Sequence, residues 1–510
     1  MKLEPEFAAF ERTYAAGAPQ LVWTRLIDDL ETPVSAYLKI GHGRPYAFLF
    51  ESVEGGAWRG RYSIITLNPD LVWRCRGDQA EIAEGADIAA GRFTAQAGGA
   101  LDSLKDLVAA SRIALPEGLP PPSAGLFGAI GYDMIRLVER LPDVNPDALG
   151  LPDGVMTRPS IVAIFDAIAQ EIVLVTPVRP DGGAAEAAYR AATARLDAVL
   201  ADLRRPTPQL SGAGKPELDR FTTPVSREQY CAIVERAKEY IRAGDVFQVV
   251  PSHRFRAPFG RDPFALYRSL RRMNPSPFLF FLNFGDFQLV GSSPEILVRL
   301  RDGKITIRPI AGTRPRGATP DQDLALEQEL VNDPKERAEH LMLLDLGRND
   351  VGRVAMLKQV GANTPAAQRR APRVRVTDSF FVERYSHVMH LVSNVEGDAP
   401  DGLDPVDVVM AALPAGTLSG APKVRAMEII DELEIEKRGI GYAGGVGYFG
   451  ADGSVDTCIV LRTALVKDGT MYVQAGGGVV ADSDPDAEYD ETQHKARALR
   501  RAAEESWRFE

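Results

Sequence analysis

Three cysteines in 510 residues, Cys75, Cys231 and Cys458, are too few and too scattered for a disulfide framework or a paired metal spacing. They are expected to be buried, acting as small apolar side chains. Long apolar runs are absent: nothing approaches the roughly 20 residues that a membrane helix needs. The opening text, MKLEPEFAAFERTY, has early acidic residues and no apolar signal core, so a cytoplasmic location is expected and no membrane partner. Positive charge is also in short supply. Lysine and arginine total 59 against 70 aspartates and glutamates, a net charge of −11. Nucleic-acid affinity comes mainly from neutralising phosphates, so nucleic-acid partners are set aside. There is no internal repeat.

What the chain does have is the composition of a globular protein, 45% hydrophobic and 25% charged. Its length exceeds what one hydrophobic core usually supports, so two domains or one large two-layer body is expected. Ala47 to Val72 reads as strand, glycine-containing turn and strand, and Ala187 to Leu203 has helical spacing. Residues 204–224, rich in proline, glycine and polar residues, read as a linker or surface crossing between an N-terminal region, 1–203, and a C-terminal region, 225–510. An amphipathic helix should follow, from Ser226 as N-cap to Gly244 as stop. Strands are expected at 246–255, 278–284, 287–293, 304–310, 387–397, 447–450, 457–466 and 470–480, and helices at 321–346, 404–413, 421–436 and 485–505. Long strands interspersed with helices, without steady alternation, favour an α+β sandwich of sheet and helix layers over a doubly wound sheet. Residues 354–373, polar, alanine-rich and basic, read as a surface insertion.

Two acidic segments carry chemical interest. In DPKERAEHLMLLDLGRND, 333–350, Glu336, Glu339 and His340 fall at three- and four-residue steps on one helical face. In SDPDAEYDETQHKARALRRAAEE, 483–505, Glu488, Glu491 and Lys495 do the same. Such pairs are either solvated faces or, if two helices meet, carboxylates for Mg2+, which prefers oxygen ligands and keeps exchangeable waters. Glycines crowd strand-like text at GYAGGVGYFG, 441–450, and QAGGGVV, 474–480, through tight packing or close approach of backbone to a ligand. Arg462, in VLRTAL, is costly to bury without an anion, and a carboxylate ligand would resolve that cost.

Five motifs in one order, PIAGTRPRG, AEHLMLLDLGRND, VERYSHVMHLVS, LPAGTLSGAPKVRAME and QAGGGVVADSDPDAEYDET, resemble the chorismate-utilising enzymes, nearest to the anthranilate synthase component I type. The resemblance covers most of 225–500 and, more loosely, about 20–170. It implies that family's large sheet-and-helix sandwich and a carbon-oxygen lyase. Ammonia attacks ring carbon 2 of chorismate with loss of the hydroxyl at carbon 4, and elimination of pyruvate leaves anthranilate. By the same resemblance Glu339 and Glu491 bind Mg2+ with Glu336 and Glu488 in support. Gly312, Thr313, Tyr442, Arg462, Gly476, Gly477, Gly478 and Lys495 contact chorismate. Glu295 is the general acid for the departing hydroxyl, His390 serves the pyruvate-eliminating step, and Thr417 and Ser419 belong to the lining loop.

Two small differences narrow the branch. The similar aminodeoxychorismate synthases carry a nucleophilic lysine where Ala311 stands, and isochorismate and salicylate synthases use a lysine to activate water where Gln248 stands. Alanine cannot attack and glutamine is no base near neutral pH, so free ammonia is the expected nucleophile. Aminodeoxychorismate synthase component I and a non-catalytic tryptophan-binding scaffold remain the competing readings. No G-x-C-x-G elbow is present, so the resemblance implies a separate glutamine amidotransferase subunit, component II, in a heterotetramer. The texts FLFESVEGG and NPSPFLFF resemble the family's feedback pocket for L-tryptophan, formed here by Glu51, Ser52, Asn274, Pro275, Pro277, Phe278, Leu279 and Phe280. A commoner form has tyrosine and methionine in place of Phe278 and Leu279.

Overall fold

The computed structural model describes residues 2–52, 60–210, 221–356, 374–385 and 388–510. Its organising feature is one long antiparallel pair, strands Tyr62–Arg76 and Gly154–Asp166, whose register shifts between Pro69 and Leu71. Pro69 stands opposite Pro159 there, and neither can donate a ladder hydrogen bond. The pair changes neighbours at this break. Its Tyr62/Asp166 end is flanked by strands Phe48–Glu51 and Glu171–Val178, while its Cys75/Gly154 end is flanked by Gln79–Glu84 and Gly125–Ile130.

Two antiparallel sheets grow from those ends. The first continues from Phe48–Glu51 through Phe278–Asn283, Phe287–Ser293, Thr463–Lys467 and Thr470–Gly476 to Ser252–Pro258. The second continues from Gly125–Ile130 through Gly445–Gly450, Val455–Ile459, Ile296–Arg301 and Lys304–Ile307 to Val388–Asp398, which also pairs with Ile310–Pro315 and Val374–Arg384. Strands from both ends of the chain therefore share each sheet.

Alternation along the strands builds the layers. In Phe278–Asn283, Phe280 and Leu282 join a core between the sheets with Phe48, Phe127, Tyr448 and Cys458. Leu279 and Phe281 turn the other way, into a core with Tyr37, Phe264, Leu499 and other residues of the covering helices. Leu297, Leu344, Val351 and Val409 belong to the matching outer core of the second sheet. The mixed architecture is the α+β sandwich expected from the text.

Boundaries differ where local chemistry overrides periodicity. The expected helix 321–346 is two helices, Pro320–Asn332 and Pro334–Met356, because Asp333 precedes proline and takes extended backbone. Its carboxylate then caps the second helix by accepting from the Lys335 and Glu336 amides. The expected strand 457–466 breaks into Val455–Ile459 and Thr463–Lys467, and 304–310 into Lys304–Ile307 and the start of Ile310–Pro315. The expected strand 246–255 starts as a two-residue bridge, Gln248–Val249, before Ser252–Pro258. Helix Arg227–Ala243 follows expectation, with Ser226 and Gln229 forming a capping box and Gly244 in the left-handed region. Of the expected insertion 354–373, Val354–Met356 finish a helix and 357–373 lie outside the described residues. Most of the expected linker, 211–220, also lies outside them.

Cys75 and Cys458 are buried, as expected, and burial pushes both thiols up. Cys231 is only half-buried, because it faces outward from its helix toward Asp486. Among the described residues no helix is long and apolar enough to cross a membrane.

Candidate active site

Several candidate site residues sit where regular structure fails, among them Glu295, Thr417, Tyr442, Arg462 and the bulged Gly312. The breaks in the strands, which blurred the sequence reading, point side chains and free backbone into one cavity of about 820 Å3.

Glu295 follows Pro294 at the end of strand Phe287–Ser293 and is 8% exposed. Burial pushes its carboxyl from the ordinary 4.5 up to about 8, opposed by the Thr417 hydroxyl, 3.4 Å from both carboxyl oxygens, and by the Arg462 cation. At neutral pH it carries a proton. Thr417 itself lies in the short turn Gly416–Leu418. Arg462 sits in the gap between strands Val455–Ile459 and Thr463–Lys467 with φ of +46°, a left-handed conformation uncommon for a residue with a side chain. Burial lowers its pKa, with Glu295 opposing, and among the described residues no carboxylate ion-pairs with it. It is a cation waiting for an anion.

Gly312 is the extra residue of a bulge in strand Ile310–Pro315: Ala311 pairs with Leu391 and Thr313 with His390, leaving Gly312 unmatched. Its φ is +67°, and a Cβ would lie 2.8 Å from Leu330 and 3.0 Å from the Glu336 carboxylate, so only glycine fits. The bulge turns Thr313 and the Gly312 carbonyl onto His390 Nδ1, at 3.0 and 3.3 Å. Burial, then the Arg462 charge, pull His390 down to about 4, so its ring is neutral. With Nδ1–H donating to the Gly312 carbonyl, Nε2 is left as an acceptor.

Glycine has a related use at 476–478. A Cβ on Gly476 would meet the Pro251 carbonyl at 2.4 Å, one on Gly477 the Glu488 carboxylate at 2.6 Å, and one on Gly478 the Gln248 amide at 2.3 Å. Lys495 donates to the Gly476 carbonyl at 2.9 Å and ion-pairs with Glu491 at 2.6 Å.

Helices Pro334–Met356 and Pro485–Glu505 bring Glu339, Glu488 and Glu491 to the same cavity. Burial first, then the charges of Glu336 and Glu491, raise the Glu339 carboxyl. Burial also raises Glu488, and its Oε2 has no hydrogen-bond partner among the described residues. Among the described residues no three metal-ligating side chains are drawn close enough together to hold an ion.

Of the candidate site residues, Glu295, His390, Thr417, Gly312, Thr313, Tyr442, Arg462, Gly476, Gly478, Lys495, Glu339, Glu488 and Glu491 line this cavity. Two stand behind its wall. Glu336 is held by Arg314 at 2.9 Å, and Gly477 packs against Glu488. Ser419 is buried and donates to the Ala415 carbonyl, away from the cavity. Ala311 and Gln248 both line it, Gln248 with its Oε1 unpartnered.

A second cavity, of about 520 Å3, is lined by Glu51, Ser52, Pro277, Phe278 and Leu279 together with Phe50, Tyr448 and residues 118–122. The Ser52 hydroxyl is buried without a partner among the described residues. The Glu51 carboxylate is committed elsewhere, accepting from the Tyr267 hydroxyl and from Arg271 at 2.8 and 3.1 Å. Asn274 and Pro275 do not line this cavity; Asn274 binds Ser292 after the end of helix Pro263–Met273. Sequence reasoning missed Arg299, Arg301 and Asp456 in its wall, which carry no motif and are legible only as a salt-bridge cluster across two strands.

The chain as a whole resembles known proteins. The chain is 56% identical over 505 residues to anthranilate synthase component 1 of Cereibacter sphaeroides, covering 99% of this chain and 98% of the relative. It is 48% identical over 483 residues to the protein of that name from Pseudomonas putida, covering 93% of each. Its fold superposes on the crystal structure of anthranilate synthase component I from Streptococcus pneumoniae with a TM-score of 0.73 and 35% identity, over 93% of this chain and 98% of that one. Residues 68–501 match the chorismate binding enzymes, and the chain belongs to that family.

Proposed function

We propose that this protein is the large subunit of an anthranilate synthase, converting chorismate and ammonia into anthranilate, pyruvate and water. The carrying observation is the meeting in one cavity of a buried Glu295, whose carboxyl burial raises to about 8, with an Arg462 that has no carboxylate partner among the described residues, beside a wall where Ala311 offers no nucleophile. A dianionic ring is what such a cavity lacks. Arg462 and Lys495 supply its counter-charge, while the glycine backbone at 312 and 476–478 permits close approach.

Hydroxide leaves poorly, so Glu295 gives its proton to the departing oxygen as ammonia forms the new bond at ring carbon 2. His390, neutral and oriented through Nδ1, then accepts at Nε2 the ring proton lost as pyruvate leaves. Oxygen ligands of this kind suit a hard divalent cation, although the carboxylates are not gathered around one point among the described residues. Glu339 and Glu491 would hold Mg2+ with Glu488, whose buried Oε2 lacks a donor, and Glu336 would act from behind Gly312. When bound, the ion supplies charge that neutralises the substrate's ring carboxylate.

Ammonia would come from glutamine through a glutaminase partner, component II, in a heterotetramer, since the chain's own cysteines sit in no nucleophile elbow. The second cavity would take L-tryptophan, its indole against Phe50, Pro277 and Phe278, as a feedback inhibitor. The division into an N-terminal regulatory region, 1–203, and a catalytic region, 225–510, is part of the same reading.

The test is incubation of the purified chain with chorismate, Mg2+ and ammonium salts, following anthranilate fluorescence and pyruvate. Equal amounts of both products are expected. Free amine increases with pH while protonated Glu295 declines through about 8, so the rate should peak where the two opposing trends cross. Accumulation of a 4-amino product without pyruvate would instead identify an aminodeoxychorismate synthase. Tryptophan binding with no turnover would identify a scaffold.

A further inference from the structure

Glu434 and Arg438 line no part of the larger cavity, yet together they hold much of its rear wall. Arg438 is 2% exposed and Glu434 6%. Their ion pair, Arg438 Nη2 to Glu434 Oε1 at 2.5 Å, is weak evidence for stability, because desolvating two charges offsets most of their attraction. The geometry of the guanidinium suggests another use. Its planar fork sends donors in fixed directions, which a lysine or an apolar side chain cannot reproduce.

Each direction ends on a different segment of the site. Nη1 donates to the Leu418 carbonyl at 2.6 Å, one residue beyond Thr417. Nη2 donates to the Val250 carbonyl at 2.7 Å, two residues beyond Gln248. The cation lies 5.3 Å from the centre of the Tyr442 ring and 4.8 Å from that of Tyr132. Glu434 extends the hold by accepting from the Ser252 amide and hydroxyl at 2.7 and 2.8 Å, and Ser252 in turn accepts from Gln474 at 2.8 Å. Val250, Leu418, Tyr442 and Gln474 all line the cavity, and they come from separate parts of the chain.

We propose that Arg438, seated by Glu434, is the positioning residue of this active site. It sets the Thr417 turn against Glu295 and the Tyr442 ring against the substrate without touching either reactant. This rests on the chorismate reading above, since the groups it sets are those that reading uses.

The test compares E434L/R438M, Arg438→Lys and wild type, each measured well below its unfolding midpoint. The double variant removes both charges and leaves none buried alone, so folding is retained by circular dichroism. Arg438→Lys keeps the charge but cannot reach both carbonyls at once. Both variants should lower kcat, the double by about 100-fold, as expected for reacting groups displaced by about 1 Å. Both should raise KM for chorismate. The basic limb of the kcat profile should move to higher pH, because the Thr417 hydrogen bond that lowers the Glu295 pKa is loosened. A residue that only holds the fold together changes the active fraction, and leaves KM and the pH limb where they were. If the folded variants show that second pattern, the proposal is wrong. A wild type that does not turn over chorismate refutes the functional reading itself, and this inference with it.

Discussion

The two cavities are lined by successive residues of one segment, 456–462, but are made of opposite materials. Asp456 and Cys458 face the smaller cavity, and Leu461 and Arg462, just beyond the end of strand Val455–Ile459, face the larger. In the smaller cavity the charges are matched: Arg299 and Arg301 lie 3.1 and 3.4 Å from Asp456, and Glu51 is held by Arg271. In the larger, among the described residues, Arg462 has no carboxylate partner and one Glu488 oxygen has no donor, while burial keeps the Glu295 carboxyl protonated. Unmet charge in a buried place is costly unless a ligand completes it, so the larger cavity is the one that calls for a charged ligand.

Glu295→Gln separates the regions most sharply. Loss of the proton donor should reduce kcat by about 100- to 10,000-fold, while tryptophan binding at the smaller cavity, measured by calorimetry, should persist. Retained turnover would return the general-acid role to another group. Next in size, Arg462→Gln should cost roughly 10- to 100-fold in kcat/KM for chorismate, because a charged hydrogen bond to the substrate is lost. An effect confined to the tryptophan response would reverse the comparison. Ser52→Phe fills the smaller cavity and should raise the tryptophan concentration for half-inhibition by about tenfold or more. Inhibition that survives the change would locate the pocket elsewhere.

The smallest effect is on stability. A carboxyl whose folded pKa is raised stabilises fully below its unfolded value of 4.5, and that contribution is lost as pH rises toward about 8. Glutamine does not titrate. The thermal midpoint of Glu295→Gln should therefore gain on wild type as pH rises from 4.5 to 8, and a constant difference would contradict a buried, raised carboxyl.

Much of the site was legible because its chemistry is written in residue type. Asp484 before Pro485 marks a helix start, and Glu488, Glu491 and Lys495 then recur on one face whatever the helix packs against. Gly312, named only through the family resemblance, proves to be the extra residue of a bulge, in a left-handed conformation that suits glycine. Less legible were the interruptions. Periodicity carried 457–466 straight through Arg462, although the strand ends at Ile459 and resumes at Thr463. No composition rule predicts a left-handed arginine, since its conformation is imposed by strands on either side. Asn274 and Pro275 belong to a motif next to the smaller cavity, but the turn after helix Pro263–Met273 directs them elsewhere.

Residue types, their spacing and their order by themselves determined which side chains were available: the glutamate pairs, the glycines, Ala311, and the family. Those are local properties of the chain, carried by covalent sequence and helical or strand period. Only the tertiary structure decided that burial raises the Glu295 carboxyl, that Arg462 meets no carboxylate among the described residues and that Glu434 and Arg438 hold the wall behind them. Such properties depend on burial and on partners hundreds of residues away, and charge in a low-dielectric interior is set by what surrounds it.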